Sequence, residues 1–313
     1  MHAGQNVPAV AIKASEGKMR VRPFEYHAAE NLKDALGSLA GCGEETKILA
    51  GGTDLVLAMK EGRSHPSRVV SVHRVRELEY VRKEDGVFRI GALAKHADLA
   101  ASPLLQESFP ILCDAVRSIG SWQIRNVATI GGNLCTASPA ADSAPALLAL
   151  EARAMIADAT GEEEVSLPSF FRGPGRTALK PTQMLKEIIV PRPKGPSSGC
   201  FLKLMRKQAV DLALVNVAFC AETDSSVSKL ARVGIALGGV APVPIRVAKA
   251  EAVLLDLDYE EASRKIREAA RLAAQACHPI SDIRASAEYR RTIVELFVQR
   301  AGEKTLNALF KRR

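Results

Sequence analysis

Two glycine pairs, far apart in the chain, constrain this sequence more than any other feature. The first lies in "KILAGGTDLV" (47–56), where a short apolar run opens into Gly51 and Gly52, followed by Thr53 and Asp54. The second lies in "TIGGNLCTASPAADSAPALLAL" (129–150), with Thr129, Gly131, Gly132 and Asn133 at its head. Glycine tolerates positive φ and lets backbone N–H groups approach a ligand closely. Successive N–H groups in such a turn make an anion-binding nest. One bare Gly-Gly after a strand reads as a tight turn. Two such turns, each with hydroxyl or amide donors beside it, read as grips on the two sides of one diphosphate. Neither matches G-x-G-x-x-G or the phosphate loop G-x-x-x-x-G-K-[ST], so a dinucleotide-binding Rossmann unit and a P-loop NTPase are both disfavoured.

The bulk numbers bound the remaining classes. At 313 residues and 47% hydrophobic content, the chain suits two or three globular domains. Aromatic content of 4% is too low for stacking platforms that hold single-stranded nucleic acid. The formal charge of +8 is scattered, apart from Lys203, Arg206 and Lys207 and the terminal "KRR", and no nucleic-acid motif accompanies it. The six cysteines show no C-x-x-C, zinc or iron–sulfur spacing, and the six histidines show no ligand spacing, so no metal site is expected. No run reaches the roughly 20 apolar residues of a membrane helix. A soluble, cytoplasmic protein with a loose leader over residues 1–20 is expected.

The pattern divides into three regions. Residues 21–75 read as a small α/β unit: Leu32, Ala35, Leu36 and Leu39 share a helical face, and "KILA" and "RVVSV" are strands. Residues 76–195 carry a strand at 87–93, one helix over 104–121 and a hairpin around Thr160-Gly161. A Pro/Gly/Ser stretch near 191–199 is the linker candidate. Residues 200–313 hold three strand-like runs and two helices, an α+β arrangement. Asp258 and Glu261 form a capping box ahead of the first helix, with Ala262, Ile266, Ala269, Ala270 and Ala273 on one face. In the second, Tyr289, Ile293, Leu296 and Phe297 are expected on the buried face.

Four motifs in order, "KILAGGTDLV", "IGALAKHADL", "QIRNVATIGGNLCTASPAADSAPALLAL" and "FLKLMRKQAVDLALVNVA", resemble the FAD-binding (medium) subunit of molybdenum hydroxylases, the xanthine dehydrogenase and aerobic carbon monoxide dehydrogenase type. The resemblance covers about residues 21–305. It implies an α+β protein: a two-subdomain FAD-binding fold of the vanillyl-alcohol-oxidase/PCMH type, followed by a C-terminal α+β domain. It also implies roles at matching positions. Lys47, Leu49, Ala50, Gly51, Gly52, Thr53, Asp54 and Leu55 would form the first FAD loop, and Thr129, Ile130, Gly131, Gly132 and Asn133 the second. Thr136, Ser138 and Asp142 would reach the ribityl chain, phosphates or ribose, Leu185 the adenine or flavin ring, and Lys203 the isoalloxazine. No histidine or cysteine stands in the first loop for a covalent link, so non-covalent FAD is expected. Asp54 is expected to face away from a pyrophosphate or to accept backbone N–H bonds. The implied partners are a molybdopterin-binding large subunit and a small subunit with two [2Fe-2S] clusters, with NAD or another acceptor as outlet. No cysteine-bearing insertion follows Cys135, which disfavours the 4-hydroxybenzoyl-CoA reductase branch.

Plainer readings stand beside these. Asp142 suits the cap of a helix starting near Ala144, with or without ligand contact. Lys203 suits an ordinary exposed charge. Trp122, the single tryptophan, reads as a packing residue, Cys135 as a space-filler, and Arg125 and Asn126 as shapers of the second loop. No catalytic triad can be assembled. A stand-alone FAD-dependent reductase and a non-catalytic nucleotide-binding scaffold or assembly protein are the alternative functions.

Overall fold

The computed structural model describes residues 21–207 and 210–310; the expected leader and the terminal "KRR" lie outside them. Three sheets of three to five strands organise the described residues, beside a two-stranded one of Phe171–Gly173 and Arg176–Thr177. The first is parallel, with strands Glu25–Ala28, Arg68–Ser71 and Thr46–Leu49 in that spatial order and His27, Val70 and Ile48 in register. Parallel neighbours need crossovers. Helix Leu32–Leu39, capped by the Asn31 side chain on the Asp34 N–H, makes one crossover, and helix Leu55–Lys60 makes the other. Ala35, Leu39 and Val70 close this small core.

The second sheet is antiparallel, in the order Val81–Glu84, Val87–Gly91, Met184–Pro191, Arg153–Asp158, Gly161–Ser166. The last two form the expected hairpin at Thr160-Gly161. The helix expected over 104–121 is two helices, Pro103–Ser108 and Pro110–Arg117. Pro110 has no N–H to continue the first and a fixed φ suited to starting the second. Phe109, at the break, packs edge-on against Phe88 at 4.7 Å.

The third sheet is antiparallel: Ser197–Leu204, Val215–Thr223, Leu230–Gly238 and Ile245–Arg246. Its middle strand alternates between two cores. Val217, Phe219 and Ala221 face helices Tyr259–Gln275 and Ala287–Phe310, while Ala218 and Cys220 face the core of the second unit, under helix Ser143–Ala149. Each large apolar side chain so buried contributes roughly 1.5–3 kcal/mol. Small side chains on the second face let that helix approach until the Cys220 thiol donates to the Ala149 carbonyl at 2.9 Å. The Asp258–Glu261 capping box is present. The buried face of the last helix includes Arg290, Ile293, Val294, Val298, Ala301 and Leu306; Tyr289 and Leu296, expected inside, are exposed. Arg290 takes the inner place because its guanidinium caps the Leu214 and Gly239 carbonyls.

Candidate functional site

The first glycine turn lies between strand Thr46–Leu49 and helix Leu55–Lys60. Gly52 has φ +71°, a left-handed value that disfavours any Cβ. Among the described residues, the N–H groups of Gly51, Gly52, Thr53, Asp54 and Leu55 donate to no protein acceptor. Five consecutive open donors on partly exposed backbone are available to a multiply charged anion. Lys47 is exposed on the incoming strand, Leu49 packs beside Gly52, and Ala50 rests on the small core.

The second turn is built differently. Thr129 caps helix Ile130–Thr136, and its hydroxyl accepts the Gly132 N–H at 3.1 Å. The other donors of that first turn are also bonded: Ile130 to the Ala94 carbonyl, Gly131 to Ala92, and Asn133 to Thr129. The expected second nest is therefore not one. These N–H groups dock the helix onto residues 92–95, and a Cβ on Gly131 would lie 2.6 Å from the Ala92 oxygen. The side chains supply this turn's polar surface. Asn133 accepts the Ser143 hydroxyl at 2.5 Å through its amide oxygen, and the Ser138 side chain accepts the Ala140 N–H.

The two turns meet. A Cβ on Gly51 would lie 2.2 Å from the Val127 carbonyl oxygen, so only glycine lets the first turn seat on the second loop. The Thr136 hydroxyl lies 3.2 Å from the Asp54 carboxylate and 2.9 Å from the Gly132 carbonyl. Asp54 thus points to the second helix and takes none of its own turn's N–H groups.

Behind the second turn sits a charged cluster that joins Asp142 to Lys203 and Asn216 of the third sheet. The Lys203 ammonium donates to Asp142 at 2.6 Å and to the Ser118 carbonyl at 3.0 Å. Its side chain is 4% exposed, which corrects the reading of an ordinary surface charge. Asp142 stands at the head of helix Ser143–Ala149, but its side chain makes no capping bond. The carboxylate turns instead to Lys203 and to the Asn216 amide at 3.0 Å. Burial pushes the Asp142 carboxyl up from the ordinary range, against the opposing pull of Lys203 and Asn216. Losing one partner of such a buried pair costs about 3–5 kcal/mol.

Leu185 is 3% exposed on strand Met184–Pro191, in the core on which helix Ile130–Thr136 packs. Trp122 is 72% exposed, with the Arg125 guanidinium 5.0 Å from its ring centre, so it is not a packing residue. Arg125 itself is buried and donates to the Ile119 carbonyl, shaping the loop as expected. Burial lifts the Cys135 thiol to about 12, which keeps it protonated and unreactive. Sequence reading passed over Asn216 and His96. Asn216 had a signal: one amide inside the apolar run "LALVNVAFC", where a buried polar group needs a partner. His96 is fully buried, and neither ring nitrogen has a partner among the described residues. Those residues include no group of three or more His, Cys, Asp or Glu able to hold a metal, and no helix long and apolar enough to cross a membrane.

Known proteins share this architecture. Residues 22–193 match the FAD binding domain in molybdopterin dehydrogenase, and residues 200–305 match the CO dehydrogenase flavoprotein C-terminal domain. The 6-hydroxypseudooxynicotine dehydrogenase complex subunit alpha of Paenarthrobacter nicotinovorans is 33% identical, over 92% of this chain and 96% of that one. The carbon monoxide dehydrogenase medium chain of Hydrogenophaga pseudoflava is 31% identical, over 92% and 98%. A solved carbon monoxide dehydrogenase from the same organism superposes with a TM-score of 0.86 at 32% identity, over 93% of this chain and 99% of that one. Quinoline 2-oxidoreductase from Pseudomonas putida 86 gives 0.84 at 26%, over 93% and 100%. With both domains matched in order and relatives aligned over nearly their whole length, the chain belongs to the family of FAD-binding medium subunits of molybdenum hydroxylases, oxidoreductases of the carbon monoxide dehydrogenase and xanthine dehydrogenase kind.

Proposed function

We propose that this chain binds FAD non-covalently and passes electrons from the iron–sulfur clusters of a small partner subunit to an external acceptor such as NAD. A molybdopterin-binding large subunit would oxidise the substrate. The observation that carries the reading is the row of five N–H groups at residues 51–55 with no protein acceptor. A diphosphate is the part of FAD that such a row suits, and the left-handed φ at Gly52 shapes the turn that leaves the row open. Bound FAD supplies the step between single-electron carriers and a two-electron acceptor; the protein holds and tunes it.

The first turn would hold the diphosphate through backbone N–H groups and the Thr53 hydroxyl. Thr129, Asn133, Thr136 and Ser138 would line the second side with side chains, while Ile130, Gly131 and Gly132 set how closely the helix seats. Lys203 and Asp142 would lie toward the isoalloxazine, and Leu185 would back the site from the core. Division at 21–75, 76–195 and 200–313 would give the diphosphate to the first two units and the charged pair to the second and third, Asp142 from one and Lys203 from the other. A cytoplasmic location accompanies the reading.

The test is FAD uptake by the purified full chain, followed by the yellow flavin absorption and by emission of the exposed Trp122. One equivalent of FAD is expected to bind and quench that emission. A colourless chain that takes up no FAD would point to a scaffold or assembly role. Turnover with NAD(P)H and no partner subunits would point to a stand-alone reductase.

A further inference from the structure

Lys203 and Asn216 are cross-strand partners on neighbouring strands of the third sheet, and both reach the same carboxylate. Lys203 holds one oxygen of Asp142 and Asn216 the other. Asn216 is fully buried, and its amide nitrogen also donates to the Ala141 carbonyl at 3.2 Å. Its amide oxygen has no donor among the described residues and faces Gly238, where a Cβ would lie 2.2 Å away. A buried amide oxygen without a donor is unfavourable. The orientation persists because the opposite one would aim that oxygen at both the carboxylate and the Ala141 carbonyl. A charge-assisted bond to Asp142 outweighs the orphaned oxygen. The Gly239 N–H, just past the end of strand Leu230–Gly238, donates to the Pro139 carbonyl at 2.7 Å and ties the segment ahead of Asp142 to the third sheet.

We propose that Asn216 is a positioning residue that holds Asp142 as the ionised partner of Lys203, so that the flavin site meets a neutral ion pair and not a lone cation. The proposal rests on the FAD reading above. A lone buried ammonium favours the electron-rich, reduced form of a nearby ring; a carboxylate 2.6 Å from it cancels most of that field. Burial already raises the Asp142 carboxyl, and Asn216 is one of the groups opposing that rise. Without the amide, Asp142 takes up a proton more readily and Lys203 is left unpaired.

The experiment is a double-mutant cycle on the FAD-loaded full chain, read as the flavin midpoint potential and the FAD dissociation constant. Asp142→Asn keeps the shape and removes the negative charge. It is expected to raise the ratio of oxidised to reduced FAD dissociation constants at least tenfold, an upward shift of about 30 mV for a two-electron couple. Asn216→Leu is expected to shift the potential the same way by a smaller amount, and to add nothing in the Asp142→Asn background. Equal shifts by Asn216→Leu in both backgrounds would mean a merely structural residue. No shift in either, with FAD still bound, would also overturn the proposal. Should Asn216→Leu fail to fold, Asn216→Ser carries the same expectations. FAD uptake separates the two claims: a wild-type chain that binds no FAD sinks the cofactor reading and this proposal with it, whereas normal uptake with unmoved potentials sinks this proposal alone.

Discussion

In the first glycine turn, five successive N–H groups face no protein acceptor and Gly52 holds φ +71°. In the second, the N–H groups of residues 130–133 are all bonded within the protein, and the glycines lie in the first turn of a helix. The same dipeptide serves two purposes. At 51–52 it seats the turn against the Val127 carbonyl and holds a left-handed φ, and the donors there remain open. At 131 it lets a helix press on the backbone of residues 92–94. Two glycines in a row establish that something comes close to the main chain, and only the surrounding acceptors decide whether it is a ligand or the protein itself.

Substitution at the packed turn is expected to have the largest effect. Gly131→Val places its branched side chain against the Ala92 backbone, 2.6 Å from the first added carbon, in a region without room to relax. Overpacking of this kind costs typically about 1–3 kcal/mol, and more where backbone has to move. A lower thermal midpoint of the chain without FAD is the expected outcome. An unchanged midpoint would mean that the second pair is not a packing device.

Gly52→Val is the counterpart at the open turn. The left-handed backbone penalises it by roughly 1–2 kcal/mol, less than the second turn should lose. The expected result is a folded chain without bound FAD, seen as loss of flavin absorption and of Trp122 quenching. Normal FAD content in the folded variant would remove the first turn from the site, and the contrast between the two turns with it.

The buttress behind the second turn adds a pH test. The His96 N–H bonds to the Ala128 carbonyl, while its ring is buried and unpartnered. Burial, helped by the nearby Arg125, lowers its pKa from 6.5 to about 4. The unfolded chain therefore binds the extra proton between those values, and stability falls as pH drops through that window and is unaffected above it. Between pH 7.5 and 4.5 the wild type is expected to lose roughly 2 kcal/mol more than His96→Leu in chemical denaturation. Parallel losses in the two proteins would show that the ring is hydrated and not part of this packing.

Much of this was legible in the chain because the signals were local. The capping box at Asp258 and Glu261, the hairpin at Thr160-Gly161 and the apolar faces of the first and penultimate helices depend on residues a few positions apart. What escaped reading depends on distant partners. Nothing in "TIGGN" announces that its donors are taken by Ala92 and Ala94, whose carbonyls any residue would supply. The acidic head of "DSAPALLAL" looks like a cap until a lysine and an amide from another sheet draw the carboxylate aside. Trp122 reads as core by its apolar area, yet it stays outside because its four-residue helix rests on the buried Arg125. The break before Pro110 has a local cause, a residue with no N–H, but the apolar spacing of Leu105, Phe109, Leu112 and Val116 runs across it and reads as one helix.

The smallest effect is expected at the link between the turns. The Thr136 hydroxyl has one proton and two acceptors in reach, the Asp54 carboxylate at 3.2 Å and the Gly132 carbonyl at 2.9 Å. Thr136→Val keeps the shape and removes the donor. The site is partly exposed, so water can replace the donor, and a bond of this type contributes about 0.5–1.5 kcal/mol at most. Asp54 is then free to swing toward its own N–H groups, where a carboxylate competes directly with a bound phosphate. FAD affinity is expected to fall by a few-fold, with the thermal midpoint almost unmoved. Asp54→Asn in the Thr136→Val background should restore the affinity, because an amide competes far less for the open donors. Failure of that rescue would mean that the two turns are coupled through the Gly51–Val127 contact alone, and that the carboxylate has no part in keeping the donors open.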